Sequence, residues 1–323
     1  MRFATYEHRH QRRVAVVEED GTLHPVPVAR SLTELISCGD GLDALLRAGA
    51  ATLDVPPGPH VSEVRLLPPL QPPTVRDFVT FEEHVEGVRR SVDGVGGVPE
   101  AWYDAPTFYF TNPYAVIGAH DDVPVPPGSH VLDFELEVAA VIGREGRDLT
   151  PEQARDHIIG YTVFNDWSAR DLQSREMQVR LGPCKGKDTA ATLGPYLVTA
   201  DEMEPYRDPE GFLRVALTAS VNGEAVGKDL LSNMSWTFEE MVAYASRGTV
   251  VRPGDVFGSG TCGNGGCLAE LWGVRGEQSP PPLKPGDTVT LTVEGIGTVS
   301  NTVVAGTDPV PLPTARRRSR ERP

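Results

Sequence analysis

The sequence predicts an α+β fold rich in strands, and three observations carry that expectation. Glycine and proline are both abundant, at 33 and 29 of 323 residues, a composition that cuts a chain into short strands and turns. A Pro-Gly-Asp or Pro-Gly-Ser turn precedes a strand-like run in "RPGDVF", "KPGDTVTLTV" and "PPGSHVLDFELEV". Helical periodicity is confined to short stretches, and no repeat of solenoid type runs through the chain.

Residues 1–70 read as a small N-terminal module. "RRVAVVEEDGTLHPV" is expected as a hairpin turning at Asp20-Gly21. "SLTELISCGDGLDALLRAG" gives one or two short helices, opening at Ser31 with Glu34 in capping-box position. The proline-rich "PPGPHVSEVRLLPPLQPPT" leads into the main body, residues 71–306. There "TVRDFVTFEEHVEGVRRSV" is expected as an amphipathic helix, because Phe78, Phe81, Val85, Val88 and Val92 recur at helical spacing. "WYDAPTFYFTNPYAVIG" looks strand-like with turns, and further helices are expected at "TPEQARDHI" and near "TFEEMVAYAS". In "GYTVFNDWSARDLQ" an apolar strand, 160–164, runs into Asn165-Asp166, and Ser168 and Asp171 have capping-box spacing for a following helix. Residues 307–323 are expected to form a disordered basic tail.

The formal net charge is −15, although the terminal "ARRRSRERP" carries five Arg against one Glu, so the rest is near −19. Such an acidic body argues against a nucleic-acid surface. No apolar run approaches the roughly 18 residues of a membrane span. The opening "MRFATYEHRH" lacks the apolar core of a signal peptide, so the expectation is a cytoplasmic protein without membrane partners. Cys38, Cys184, Cys262 and Cys267 lack a second pair at zinc-site spacing and read as free thiols. Gly258, Gly260 and Gly263 spell a G-x-G-x-x-G. The residues after them read as strand rather than helix, with no βαβ unit around, so a dinucleotide site is rejected.

The informative stretch is "LDFELEVAAVIG", 132–143. Along a strand, residues two apart share a face, so Glu135 and Glu137 are expected to project together, with Asp133 beside them. Buried without a partner, each carboxylate would cost several kcal/mol or be forced to protonate. A divalent cation removes that cost, and all-oxygen ligation suits Mg²⁺, Mn²⁺ or Ca²⁺ rather than zinc. A solvated surface strand is the bland alternative, just as Asp166 could merely close a turn.

"DFELEVAAVIG", "GYTVFNDWSARDLQ", "LGPCKGKDTAATLGPYLVTADE" and "GDVFGSGT" stand in the order and spacing of the fumarylacetoacetate hydrolase family, and the chain resembles that family over roughly residues 74–305. The resemblance implies a mixed β-sheet roll with flanking helices, a homodimer, and one divalent cation held by Glu135, Glu137 and Asp166. "RDFVTFEEH" matches the pattern of the fumarylacetoacetase-like branch, which makes Asp77 a fourth ligand and His84 the base. On a helix the two would share one face; a helix cap and a surface histidine are their bland readings. The resemblance further implies that Glu270 orients His84, that Thr261 binds a substrate carboxylate, and that Arg170, Gln173 and Lys187 surround the reacting carbonyl. The loop between Thr261 and Glu270 is shorter than in the branch, and the loop before Lys187 is longer by a residue. Val79 and Met177 replace substrate-binding tyrosines, which puts fumarylacetoacetate itself in doubt as the substrate.

The leading expectation is therefore hydrolysis of a C–C bond in a small β-diketo or 2-oxo acid of acylpyruvate type. His84 would activate water, and the cation would offset the charge of the departing enolate. The alternative is a tautomerase, isomerase or decarboxylase of a 2-oxo or dienedioate acid using the same site, and the third reading is an inert binding protein.

Overall fold

The computed structural model describes residues 1–27, 29, 31–37 and 41–320. Cys38 and residues 321–323 of the basic tail lie outside them. Among the described residues the strands form one eleven-stranded sheet, one five-stranded sheet and two short pairs. Nine strands of the large sheet run in the order Leu23–Pro25, Gln11–Val17, Arg2–His8, Ala191–Thr199, Ile158–Asp166, Leu136–Ile142, Val256–Gly258, Val75–Phe78 and Phe108–Thr111, while Arg65–Leu67 pairs with Arg2–His8 and Val116–Ile117 with Ala191–Thr199 off this path. Parallel and antiparallel pairings mix in it: Val256–Gly258 lies parallel to Val75–Phe78 and antiparallel to Leu136–Ile142. The five-stranded sheet contains Ala216–Val221, Glu224–Leu230, Thr288–Val293, Gly297–Val304 and Val123–Pro124. The fold is α+β and mostly sheet, as expected.

The two central strands explain the apolar runs. Every residue of Leu136–Ile142 and of Ile158–Asp166 is buried. Leu136, Val138, Ala140 and Ile142 enter one core, while Ala139 and Val141 enter a second on the opposite face. A strand covered on both sides cannot alternate polar with apolar, so it reads as continuous hydrophobe. Each fully buried aliphatic side chain contributes about 1.5–3 kcal/mol, which fixes these strands and the acids they carry.

The local expectations for turns and helix caps are met. The hairpin turning at Asp20-Gly21 forms, with Gly21 at φ 90°, and Gly128, Gly254 and Gly286 take positive φ in the three Pro-Gly turns. Ser31 Oγ accepts the Glu34 amide at the start of helix Leu32–Ser37. Thr150 and Thr237 cap helices Pro151–Arg155 and Phe238–Ala245 with complete capping boxes. Strands Arg2–His8, Gln11–Val17 and Leu23–Pro25 belong to the large sheet, which Arg2 and Phe3 join by pairing with Val198 and Leu197. Residues 307–320 are exposed and without regular structure.

Three expectations are corrected. Residues 74–92 are not one helix: Val75–Phe78 is a buried strand between Val256–Gly258 and Phe108–Thr111, and the helix begins only at Glu82. The helical spacing runs across two elements that bury apolar residues into neighbouring cores. Ser168 and Asp171 make no capping box. Asp171 instead accepts from Ser129 Oγ and the His130 amide, and helix Arg170–Met177 starts without a side-chain cap. The residues after the glycine run form a helix, Leu268–Arg275, not a strand.

Candidate metal centre and active-site cleft

The register of the large sheet assembles the site. Tyr109 lies opposite Asp77, Asp77 opposite Gly258, and Gly258 opposite Ala139, two residues from Glu137 on the same face. Asp166 ends the next strand, where Asn165 pairs with Leu136. Asp77, Glu135, Glu137 and Asp166 are all buried. One oxygen each of Asp77, Glu135 and Glu137 lies within 4.8 Å of the other two. Asp77 therefore joins this cluster from a strand, correcting the helix-face argument, while Asp166 stands at its border.

The partners divide these acids into two kinds. Glu135 accepts from Arg170 at 2.7 Å on Oε1 and from the Lys187 ammonium on Oε2. Burial opposes its charge, but Lys187 and then Arg170 outweigh burial and hold its carboxyl at about 2. Asp77 and Glu137 lack such cations. Burial, then the charge of Asp166, pushes Asp77 well above the usual carboxylate range, and burial with Asp77 and Glu135 does the same to Glu137. Burial also raises Asp166, against the pull of Lys187 at 2.8 Å.

These residues fit a divalent cation. Asp77 Oδ1 and Asp166 Oδ1 are buried without a hydrogen-bond partner, a cost of about 1–3 kcal/mol for each unsatisfied oxygen. Gly258 forms a cradle beneath them: a Cβ there would lie 2.7 Å from Asp77 Oδ1 and 2.9 Å from Glu137 Oε2. Oxygens bound on opposite sides of a hard cation sit at most about 5 Å apart, which this cluster matches. A buried Asp/Glu/Glu set with an open cradle suits a divalent metal.

Asp133 does not join them. The chain leaves the extended strand at Phe134 and Glu135, which breaks the alternation. Asp133 turns to the start of helix Leu268–Arg275, accepting from the amides of Leu268 at 2.8 Å and Ala269 at 3.0 Å, and from Arg170 Nε at 2.8 Å. Arg170 thereby spends its other nitrogens on Glu135 and on Gln173 Oε1.

His84 comes from helix Glu82–Val88 and is buried. Its Nδ1 lies 3.9 Å from Glu270 Oε2 and 3.7 Å from the Cys267 sulfur. Burial, partly opposed by the Glu135 charge, lowers His84 to about 4, so the imidazole is neutral at ordinary pH. Burial raises Glu270 to about 7. Cys262 and Cys267 are buried free thiols, and Cys184 is free and exposed.

A cleft of about 450 Å³ connects these groups. Asp77, His84, Glu135, Glu137, Arg170 and Lys187 face it, as do Gln173 and Thr261, and Val79 and Met177 belong to its wall. Glu270 and Asp166 do not line the cleft themselves but touch residues that do, Glu270 facing His84 and Asp166 accepting from Lys187. Tyr109 is the site residue that the sequence did not suggest. Its hydroxyl donates to Asp77 Oδ2 at 2.8 Å and also contacts Asp166 Oδ2. The one available signal was alternation in "FYFT", which sets Tyr109 opposite to Phe108 and Phe110.

Comparison with known proteins identifies the family. The family described as fumarylacetoacetate (FAA) hydrolase C-terminal matches residues 74–304. Oxaloacetate tautomerase YisK of Bacillus subtilis is 29% identical over 326 residues, covering 94% of this chain and 100% of that protein. The human mitochondrial oxaloacetate tautomerase FAHD2A is 33% identical over 281 residues, 85% of this chain and 80% of that protein. Among solved structures, a fumarylacetoacetate hydrolase from Exiguobacterium antarcticum superposes with a TM-score of 0.72 at 29% identity, covering 94% of this chain and 99% of that one. No helix among the described residues is long and apolar enough to cross a membrane. A match across most of the catalytic body, and relatives spanning nearly the whole chain, place this protein in the fumarylacetoacetate hydrolase family.

Proposed function

We propose that this chain is a tautomerase of a small 2-oxo dicarboxylic acid of the oxaloacetate type, working with one divalent cation, Mg²⁺ or Mn²⁺ ahead of Ca²⁺. One observation carries the reading: an imidazole that burial keeps neutral down to about pH 4 shares a cleft with the carboxylate cluster. Keto–enol exchange needs one proton removed from carbon beside a carbonyl and one returned, without an activated water. The two relatives named as oxaloacetate tautomerases support the same choice.

Asp77, Glu135 and Glu137 would hold the cation, with Asp166 bordering it. Once bound, the cation supplies Lewis acidity that lowers the cost of negative charge on the carbonyl oxygen. His84 takes the carbon-bound proton, and Glu270, ionised, stabilises the imidazolium that results. Lys187 and the Gln173 amide donate toward the oxygen end of the substrate. Arg170, committed to Asp133, Glu135 and Gln173, fixes Glu135 rather than the substrate. The Thr261 hydroxyl, turned to Glu137 across 3.4 Å, would swing to take a substrate carboxylate, while Val79 and Met177 make that part of the wall apolar.

Hydrolysis of a C–C bond in an acylpyruvate, the fumarylacetoacetase-like activity, is the second reading. The unpartnered Glu270 Oε2 beside His84 favours it, since that pair would equally serve water activation. The deciding experiment follows enol-oxaloacetate by its ultraviolet absorbance with and without Mg²⁺ or Mn²⁺, beside loss of diketone absorbance with acylpyruvates. Cation-dependent ketonisation well above the spontaneous rate, slowed by His84→Ala, is expected. Rapid acylpyruvate cleavage without that acceleration would replace this reading with the hydrolase.

A further inference from the structure

We infer that Tyr109 sets the cation preference of the site: by occupying the second oxygen of Asp77 it confines that carboxylate to one-oxygen ligation and selects a small six-coordinate ion over Ca²⁺. The inference rests on the cation reading above and adds a role for a residue outside the carboxylate cluster.

The argument is one of which oxygens remain free. Tyr109 Oη donates to Asp77 Oδ2 at 2.8 Å, whereas Asp77 Oδ1 has no partner. The two residues are direct cross-strand neighbours, so sheet register rather than a mobile loop holds the phenol there. The same hydroxyl also touches Asp166 Oδ2, leaving Asp166 Oδ1 without a partner. The remaining acids of the cluster are restricted in the same manner. Both oxygens of Glu135 are engaged, by Arg170 and by Lys187. Glu137 accepts from the Gly260 amide at 3.0 Å on Oε2 and from Thr261 Oγ1 at 3.4 Å on Oε1.

Each carboxylate oxygen keeps a further lone pair, so these bonds leave one-oxygen ligation open to Glu135 and Glu137, while two-oxygen ligation by any of the three would compete with a bond to the protein. That restriction matters unequally to different ions. Ca²⁺ takes roughly six to eight oxygens at about 2.3–2.6 Å and commonly uses both oxygens of a carboxylate, whereas Mg²⁺ takes six at about 2.0–2.1 Å in octahedral geometry. Of the donors, the Tyr109 hydroxyl can be removed most cleanly. The residue is partly exposed, and phenylalanine retains the ring that faces the Lys187 ammonium at 5.8 Å.

The test is titration calorimetry of the full chain with MgCl₂, MnCl₂ and CaCl₂, for wild type and Tyr109→Phe, with thermal melts recorded without added cation. The wild type should bind Mg²⁺ or Mn²⁺ more tightly than Ca²⁺, and Tyr109→Phe should shift the Ca²⁺ to Mg²⁺ affinity ratio toward Ca²⁺ by about tenfold or more, the usual scale for removing a hydrogen-bond partner of a ligand. An unchanged ratio in a folded Tyr109→Phe overturns the inference. So does a wild type that prefers Ca²⁺, a result that needs no variant to fold. A wild type that binds none of the three ions overturns the cation reading itself, so the two failures are distinguishable.

Discussion

His84 Nδ1 and Glu270 Oε2 face each other across 3.9 Å, inside the protein, and that carboxylate oxygen has no hydrogen-bond partner. The other oxygen of Glu270 accepts the Gly265 amide at 3.0 Å, and the helix that carries it begins at the sulfur of Cys267, which accepts the Glu270 amide at 3.4 Å. The geometry leaves one oxygen to respond to the charge on His84. Burial holds Glu270 at about 7 and His84 at about 4, so at neutral pH the imidazole is neutral and the carboxyl about half ionised. Activity that needs ionised Glu270 should climb along an acidic limb centred near pH 7. In Glu270→Gln that limb should vanish and kcat/KM should fall by roughly 10- to 100-fold. A pH profile of the two proteins checks this, and a limb that survives the substitution assigns it to another group.

The same raised carboxyl has a signed effect on stability. An acid whose folded value is lifted from 4.5 to about 7 adds no cost below its unfolded value and weakens the fold as pH rises through 7. Glu270→Gln should therefore be more stable than wild type at pH 8, by on the order of 3 kcal/mol at most, with the gap closing toward pH 5. Urea unfolding at the two pH values measures it.

Lys187 places one ammonium between Glu135 and Asp166, and its side chain is 5% exposed. Removing one partner of a buried charged pair costs about 3–5 kcal/mol because the other charge stays behind. Lys187→Met should thus melt well below wild type in chelator. Saturating Mg²⁺ should restore more stability to the variant than to wild type, because the remaining carboxylates hold a dication more tightly once a competing positive charge is gone. Turnover should still fall by roughly 100-fold or more with the loss of the donor. Melting curves at graded Mg²⁺ test the first claim; equal cation-dependent shifts in both proteins would refute it.

The acid cluster was legible because two glutamates in an otherwise apolar run have no inexpensive explanation inside a core. Leu136–Ile142 read correctly for the same reason, its neighbours covering both faces. What failed was periodicity across element boundaries. Phe78, Phe81 and Val85 keep helical spacing although Phe78 belongs to a strand and Val85 to a helix, so spacing alone puts Asp77 on the wrong element. Strict alternation groups Asp133 with Glu135 because it assumes an unbroken strand. Tyr109 could not be found without its neighbour, since only the pairing of Phe108–Thr111 with Val75–Phe78 shows that the phenol meets Asp77. Glu270 was carried by resemblance alone, and its glycine-rich approach concealed the helix it sits on.

Asp133 converts that misreading into a prediction. Its carboxylate accepts from the amides of Phe134, Leu268 and Ala269 and from Arg170 Nε, joining the start of the Glu270 helix to the arginine that holds Glu135. Asp133→Ala should cost about 3–5 kcal/mol, because Arg170 loses a buried partner and the helix loses its anionic cap. Activity should fall further than stability explains, since the positions of Glu135 and Glu270 both depend on this residue. Denaturant midpoints and specific activity of the folded fraction measure the two effects separately.

Gly258 gives the most local test of the carboxylate cluster. A methyl there would come within 2.7 Å of Asp77 Oδ1, 2.8 Å of Phe164 Cε1 and 2.9 Å of Glu137 Oε2, closer than real Cβ atoms approach. Phe164 is fully buried in a packed core and resists displacement, so the carboxylates must separate. Gly258→Ala should therefore lower Mn²⁺ affinity by roughly 10- to 100-fold, the scale expected when ligands are pushed out of position. Its stability in chelator should fall by about 1–3 kcal/mol, the usual cost of forcing an extra methyl into a packed core. Titration of Mn²⁺ by electron paramagnetic resonance, alongside thermal melts in chelator, reads both quantities. Wild-type Mn²⁺ affinity in a folded Gly258→Ala would show that the ion does not sit between Asp77 and Glu137.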